Sequence, residues 1–206
     1  MLVKICGITR PEDAEAAAQA GAAAVGFIFW PESPRYVDPF RARAIAARLP
    51  PFVTTVGVFV NQAADYIMGV ASLVRLGAVQ LHGDETPDAG AALPLPVIKA
   101  IMLGDARLAT WPARTTILLD AHDPVRRGGT GQTIDWNAAA AVAAQRRTLL
   151  AGGLTPENVR EAVTRVRPFG IDVSSGVERA PGIKDPERIR ALFESLKTLG
   201  SLEALT

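Results

Sequence analysis

Strand-like and helix-like segments alternate along the whole chain, and that alternation limits the fold more than any single residue does. Eight runs rich in branched and aromatic residues recur: LVKIC (2–6), AVGFIF (24–29), TTVGVFV (54–60), AVQLH (78–82), PVIKAI (96–101), TTILLD (115–120), TLLAG (148–152) and GIDVS (170–174). Between them lie alanine-rich stretches with helical spacing: PEDAEAAAQA, PFRARAIAARL, AADYIMGVASLVRL, WNAAAAVAAQ, PENVREAVTRV and DPERIRALFESL. Several open on proline followed by Glu, Asp or Phe. Proline suits the first helical turn, and an acid there meets the positive helix end. Gly21, Gly77 and Gly200 follow helical stretches and read as C-terminal caps. The segments after the fourth and fifth strands, ETPDAGAAL and GDARLATW, are weak helix formers and are expected to be short or partly irregular. Eight such repeats describe an α/β fold, either a single (β/α)8 TIM barrel or an open doubly wound sheet. No linker or shift in composition divides residues 1–206, so one domain is expected.

The pattern within the strands favours the barrel. Successive side chains of a strand point to opposite faces. Val3 and Ile5 share one face while Lys4 and Cys6 share the other. Val79 and Leu81 oppose Gln80 and His82, and Ile171 and Val173 oppose Asp172 and Ser174. An open parallel sheet is covered by helices on both sides, so its strand interiors should be apolar on both faces. One apolar face and one that turns polar toward the strand C-terminus fits a barrel whose upper interior opens into a polar pocket. The 206 residues fall under the ~250 usual for that fold, so lean loops are expected.

Composition bounds the partners. The formal net charge is +1 and no dense basic block occurs, so no nucleic-acid partner is expected. A single cysteine, Cys6, allows no internal disulfide and no zinc site built from two or more cysteines. The first residues lack the charged segment, apolar run and small-residue cleavage site of a secretion signal. The longest apolar stretch, AGAAAVGFIFW, is too short to span a bilayer. A soluble, cytoplasmic protein without a membrane partner is therefore expected. Either a monomer or a homodimer is compatible with the sequence. Phe40, Phe52 and Trp111 would cover an interface or complete the helix packing.

In such barrels the active site lies at the C-terminal ends of the strands. The sequence puts Cys6, Arg35, Asn61, His82, Asp120, Gly152-Gly153, Ser174-Ser175-Gly176 and the GGTG run at 128–131 there. Glycines after strands seven and eight are either tight turns or a phosphate site made of backbone N–H groups. Asp120, ending an apolar strand, is either a rim residue or an acid–base group, and Asp172 has a similar position. Arg35 sits in PESPRYV, where two prolines stiffen the loop. It is either solvated or able to grip a carboxylate with two parallel hydrogen bonds. His82 reads as a base or as a hydrogen-bonded structural residue. With His122 as the only other histidine, no metal site is expected. Cys6 shares a face with Lys4, ~6–7 Å away along the strand. The ammonium favours thiolate and burial opposes it, so Cys6 is either a proton acceptor or a small core residue.

Taken in order, VKICGIT, GFIFWPESPRYV, VGVFVNQ, VQLHGDE, LLDA…GGTGQTIDW, LAGGLTPENV and GIDVSSGVERAPGIKD resemble the phosphoribosylanthranilate isomerases of tryptophan biosynthesis over almost the whole chain. The resemblance implies an Amadori rearrangement of N-(5-phosphoribosyl)anthranilate, a small phosphosugar, with no cofactor. Asp120 would be the general acid at the furanose ring oxygen and Cys6 the general base at C2′. Arg35 would hold the anthranilate carboxylate and Asp172 would sit near the sugar hydroxyls. His82 and Gly129 would join the substrate-contacting set, the latter in a covering GGTG loop. The phosphate would rest on amides around Gly152, Gly153, Ser175 and Gly176. The competing readings are a phosphosugar-binding barrel without catalysis and a barrel running another reaction. A lyase would need a catalytic lysine, for which Lys4 and Lys99 are the candidates.

Overall fold

The computed structural model describes residues 1–120 and 135–203, with side chains through residue 197. Eight parallel strands close into a barrel in chain order. They are β1 (Leu2–Cys6), β2 (Ala24–Ile28), β3 (Thr54–Phe59), β4 (Ala78–Leu81), β5 (Val97–Met102), β6 (Thr116–Asp120), β7 (Thr148–Leu150) and β8 (Gly170–Val173). β1 pairs with β2 on one side and with β8 on the other, which removes both sheet edges. Around the barrel lie α1 (Pro11–Ala20), α2 (Pro39–Ala46), α3 (Ala64–Val74), α4 (Pro87–Ala91), α5 (Trp136–Ala143), α6 (Val159–Val166) and α7 (Pro186–Glu203). As the weak helical signal suggests, α4 has five residues and the segment after β5 forms only a 3-10 helix at Ala106–Thr110. An antiparallel hairpin, β9 (Glu178–Ala180) and β10 (Ile183–Lys184), follows β8 and has no counterpart in the sequence reading.

Several local expectations are corrected. Gly21 caps α1 in the left-handed conformation, but the left-handed cap of α3 is Arg75. Gly77 instead donates its amide to the Thr55 carbonyl at 2.9 Å and leads into β4. α7 continues through Gly200. The stretch starting at Pro156 is a turn, and α6 begins only at Val159.

The two strand faces build two different interiors. Val3, Ile5, Val25, Phe27, Val79, Leu81, Ile117, Leu119, Ile171 and Val173 join helix residues such as Ala14, Ile67, Val70 and Leu192 in one continuous core. Inside the barrel the apolar cluster is small: Ala100, Leu118, Leu149 and Ala151, with Ile98 against it. The rest of that interior holds Val56, Val58 and Ala78 together with the alternate polar residues Lys4, Cys6, Gln80, Asp120 and Asp172, all buried. Trp111 is buried and completes the packing beside the thin segments after β4 and β5. Phe40 and Phe52 stay exposed. Among the described residues no helix is long and apolar enough to cross a membrane.

Phe59 is fully buried and stacks on Phe29 with ring centroids 5.3 Å apart. Phe59→Ala is expected to lower stability by about 3–5 kcal/mol in a denaturant titration. A loss below about 1 kcal/mol would show that the strand–helix layer is not the main core.

Candidate active site

Cys6 ends β1 and is buried, next to Gly26 of β2 in the ladder. A Cβ added to Gly26 would lie 2.8 Å from Cys6 Sγ and 3.0 Å from Lys4 Nζ, so thiol and ammonium share the hollow over one glycine. Lys4 Nζ donates to Asp172 Oδ1 at 2.7 Å across the β1–β8 seam. Burial pushes the Cys6 thiol up from its ordinary range, and Lys4 opposes that push without overcoming it. The competition left open by the sequence is thus decided by burial in the free protein. Burial also works against the Lys4 ammonium, yet Asp172 and Cys6 hold its pKa above the ordinary value. Lys4 is therefore no free amine of the kind a lyase needs. Lys99 lies on the outer face of β5, where its Nζ donates to the Gly83 carbonyl and to Glu85 Oε2, both at 2.8 Å.

Asp120 ends β6, three strands from β1 around the barrel, and is buried. His82 Nε2 lies 3.5 Å from Asp120 Oδ2. On its other side, His82 Nδ1 is 2.8 Å from Gln80 Nε2. An amide nitrogen donates, so with Gln80 in this orientation Nδ1 accepts and the ring proton sits on Nε2, facing the carboxylate. Asn61 braces the neighbouring loop: its amide donates to Glu85 Oε1 at 2.8 Å and its Oδ1 accepts from the Asp84 amide at 2.7 Å.

Arg35 is buried and makes the two-pronged grip its loop suggested, but on a partner within the chain. Its Nε donates to Glu178 Oε1 at 3.0 Å and its Nη2 to Oε2 at 2.8 Å. Lys184 Nζ, fully buried, donates to Glu178 Oε1 at 2.7 Å and to the Ser174 carbonyl at 3.2 Å. Burial works to raise the Glu178 pKa, but Arg35 and Lys184 outweigh it and hold the carboxyl below its ordinary range. Neither Glu178 nor Lys184 stood out in the sequence; only the hairpin after β8 carries them to the site.

Gly153, Thr155, Ser175, Gly176, Glu178 and Arg188 line a pocket between the loops after β7 and β8. Gly152 and Gly153 adopt φ 86° and 62°, which a side chain would disfavour. Any Cβ on Gly176 would collide with the Leu154 carbonyl oxygen, so only glycine lets the two loops touch. A 3-10 turn at Ser175–Val177 begins here, and the amides of Gly153, Ser175 and Gly176 donate to no acceptor among the described residues. Such a cluster of amides suits an anion. Arg188, held by the Gly176 carbonyl at 2.9 Å, adds a cation that the sequence reading missed. Gly129, His122 and the GGTG run lie outside the described residues. Among the described residues, no group of three or more His, Cys, Asp or Glu side chains is placed to hold a metal ion.

A family model described as N-(5'phosphoribosyl)anthranilate (PRA) isomerase matches residues 3–195. The chain belongs to the phosphoribosylanthranilate isomerase family. One member of that family, the N-(5'-phosphoribosyl)anthranilate isomerase of Chromohalobacter salexigens, is 50% identical over 199 residues, which cover 94% of this chain and 93% of the relative. The crystal structure of phosphoribosyl anthranilate isomerase from Thermus thermophilus has a TM-score of 0.89 and 44% identity, covering 97% of this chain and 100% of that one. A phosphoribosyl anthranilate isomerase crystallised with reduced 1-(o-carboxyphenylamino)-1-deoxyribulose 5-phosphate has a TM-score of 0.85 and 43% identity, covering 96% and 100%. The likeness to other phosphoribosylanthranilate isomerases therefore spans the barrel and both loops that line the pocket at Gly153 and Ser175.

Glu178→Gln leaves the buried Lys184 without a charged partner and is expected to cost about 3–5 kcal/mol in a denaturant titration. In the wild type the carboxylate's contribution is complete above its ordinary pKa of 4.5 and fades as pH falls through the lowered folded value. Unchanged stability of the variant would mean that Lys184 does not need the carboxylate and is satisfied by the Ser174 carbonyl or by loss of its proton.

Proposed function

We propose that this chain catalyses the reaction for which its family is named, the conversion of N-(5-phosphoribosyl)anthranilate to 1-(2-carboxyphenylamino)-1-deoxyribulose 5-phosphate in tryptophan biosynthesis. The observation that carries this reading is the meeting of a buried thiol, a buried carboxyl and a pocket of donating amides at one mouth of the barrel. The substrate phosphate rests on the amides around Gly152, Gly153, Ser175 and Gly176, with Arg188 adding positive charge. Arg35 keeps Nη1 clear of its bonds to Glu178, and this nitrogen meets the anthranilate carboxylate. Asp172 uses Oδ1 on Lys4 and turns Oδ2 toward the sugar hydroxyls.

The first step is proton donation by Asp120 to the furanose ring oxygen. The C1′–O bond breaks, and the nitrogen lone pair completes a protonated Schiff base. His82, with its Nε2 proton facing Asp120, steadies the carboxylate as the proton leaves. In the second step Cys6, its thiol proton released to solvent, takes the C2′ proton as thiolate. The C–H electrons form the C1′–C2′ double bond, and the C=N electrons return to nitrogen. The enolamine then tautomerises to the ketone. Positive charge on the Schiff base acidifies C2′ and favours the thiolate beside it. Each transfer is worth ~10²–10⁴ in rate. Both steps couple a proton transfer to a shift of electron pairs within the substrate, so no external oxidant or reductant is called for.

A reduced thiol at this position suits a cytoplasmic enzyme. The chain works as a monomer or a homodimer; Phe40 and Phe52, 70% and 95% exposed, are apolar residues a second copy would cover.

Fluorescence loss on adding freshly made phosphoribosylanthranilate tests the reading. Cys6→Ala and Asp120→Asn are each expected to lower kcat by about 10²–10⁴ with KM nearly unchanged. Arg35→Ala is expected mainly to raise KM. A fully active Cys6→Ala enzyme would end the base assignment. Wild type that binds the compound without converting it would point to a phosphosugar-binding barrel instead.

A further inference from the structure

Lys4 is 3% exposed at the centre of the barrel, and a buried ammonium needs a physical reason. Its bond to Asp172 does not supply one by itself. Taking both charges out of water costs several kcal/mol, and their attraction does little more than offset that cost; an apolar pair of similar volume would fill the space as well. Three observations tie the pair to the thiol. Lys4 and Cys6 lie two residues apart on the same inward face of β1. Asp172 stands beside Lys4 in the β1–β8 register and fixes its Nζ at 2.7 Å. Gly26 leaves a hollow that Sγ and Nζ flank together, and any larger residue there would displace both.

We propose that Lys4 is a positioning residue of the isomerisation: anchored by Asp172 and seated with Sγ over Gly26, its ammonium is the counter-ion of the Cys6 thiolate inside the barrel. The proposal rests on Cys6 being the base and extends that reading to a residue that never touches substrate. The charged groups facing the thiol come from three strands. Lys4 on β1 and Lys184 on β10 favour thiolate, and Asp172 on β8 opposes it. Lys184 is already engaged by Glu178 and the Ser174 carbonyl. Lys4 is the stronger of the two cations at this thiol. Asp172 therefore has two effects of opposite sign: it orients the ammonium and tempers its field.

The two substitutions should then move the thiol in opposite directions. Lys4→Met removes the leading cation, whether or not Asp172 then takes up a proton. Asp172→Asn removes the anion and leaves the cation in place. Cys6 is the only thiol, so the pH dependence of iodoacetamide alkylation of the ligand-free protein reads it directly. For Lys4→Met the midpoint should rise by about one pH unit or more, and for Asp172→Asn it should fall. Loosened packing alone would shift both variants the same way, and that result would overturn the proposal, as would an unmoved midpoint in Lys4→Met. If Lys4→Met does not fold, Lys4→Gln, which keeps a hydrogen-bond donor for Asp172 but no charge, is read in the same way, and an unmoved midpoint there overturns the proposal. In turnover, Lys4→Met should lose kcat with KM nearly unchanged, and the loss should shrink as pH rises. A shifted thiol with wild-type kcat at neutral pH would remove Lys4 from the reaction. Activity of Cys6→Ala separately tests the base assignment, so the two failures are distinguishable.

Discussion

Closing eight parallel strands into a barrel forces every second side chain into a space that no helix reaches, and the chemistry of this protein depends on what is put there. Apolar residues fill only part of it, among them Val56, Val58, Ala100, Leu118, Leu149 and Ala151. The remainder is charged or polar and sits toward the strand C-termini. The closing seam between β1 and β8 sets Lys4 against Asp172, 168 residues apart in the chain, and Gly26 on the other neighbour of β1 leaves room for the thiol. An open sheet of the same strands would leave β1 and β8 unpaired and would not form this arrangement.

Buried charge is managed by pairing; besides Asp13 with Arg10 at the start of α1, three groups do this. Lys4 and Asp172 pair inside the barrel. Arg35, Glu178 and Lys184 pair where the β9–β10 hairpin folds back over the mouth. Lys99 and Glu85 pair outside the barrel, beneath the thin segments after β4 and β5, where Lys99 Nζ also lies 5.7 Å from the Trp111 ring centroid. The last group makes good what the short α4 and the 3-10 helix do not cover. The first two hold their charges next to the thiol and the pocket between the loops after β7 and β8, in surroundings where fixed charge acts strongly.

The strands were legible almost to the residue, because branched runs and alternating faces are local signals read off neighbouring positions. Weak helices after β4 and β5 were legible for the same reason. Cap positions were less so: Arg75 rather than Gly77 takes the left-handed turn, because the chain must already be bending toward β4. Cys6, Arg35, His82, Asp120 and Asp172 could be placed near the mouth from strand endings alone. What each one touches could not. Arg35 meets Glu178 across 143 residues and Lys184 is delivered by a hairpin, and no short window of sequence carries either pairing. Whether burial or the Lys4 ammonium controls Cys6 was equally out of reach, since the answer depends on how completely β2 and β8 enclose the thiol.

The most direct test of the arrangement is a crystal structure of this chain with reduced 1-(o-carboxyphenylamino)-1-deoxyribulose 5-phosphate. We expect the phosphate on the amides of Gly153, Ser175 and Gly176, with C2′ facing Cys6 Sγ and the sugar oxygen released on ring opening facing Asp120. A phosphate seated elsewhere, or a C2′ turned away from the thiol, would contradict the assignment of acid and base.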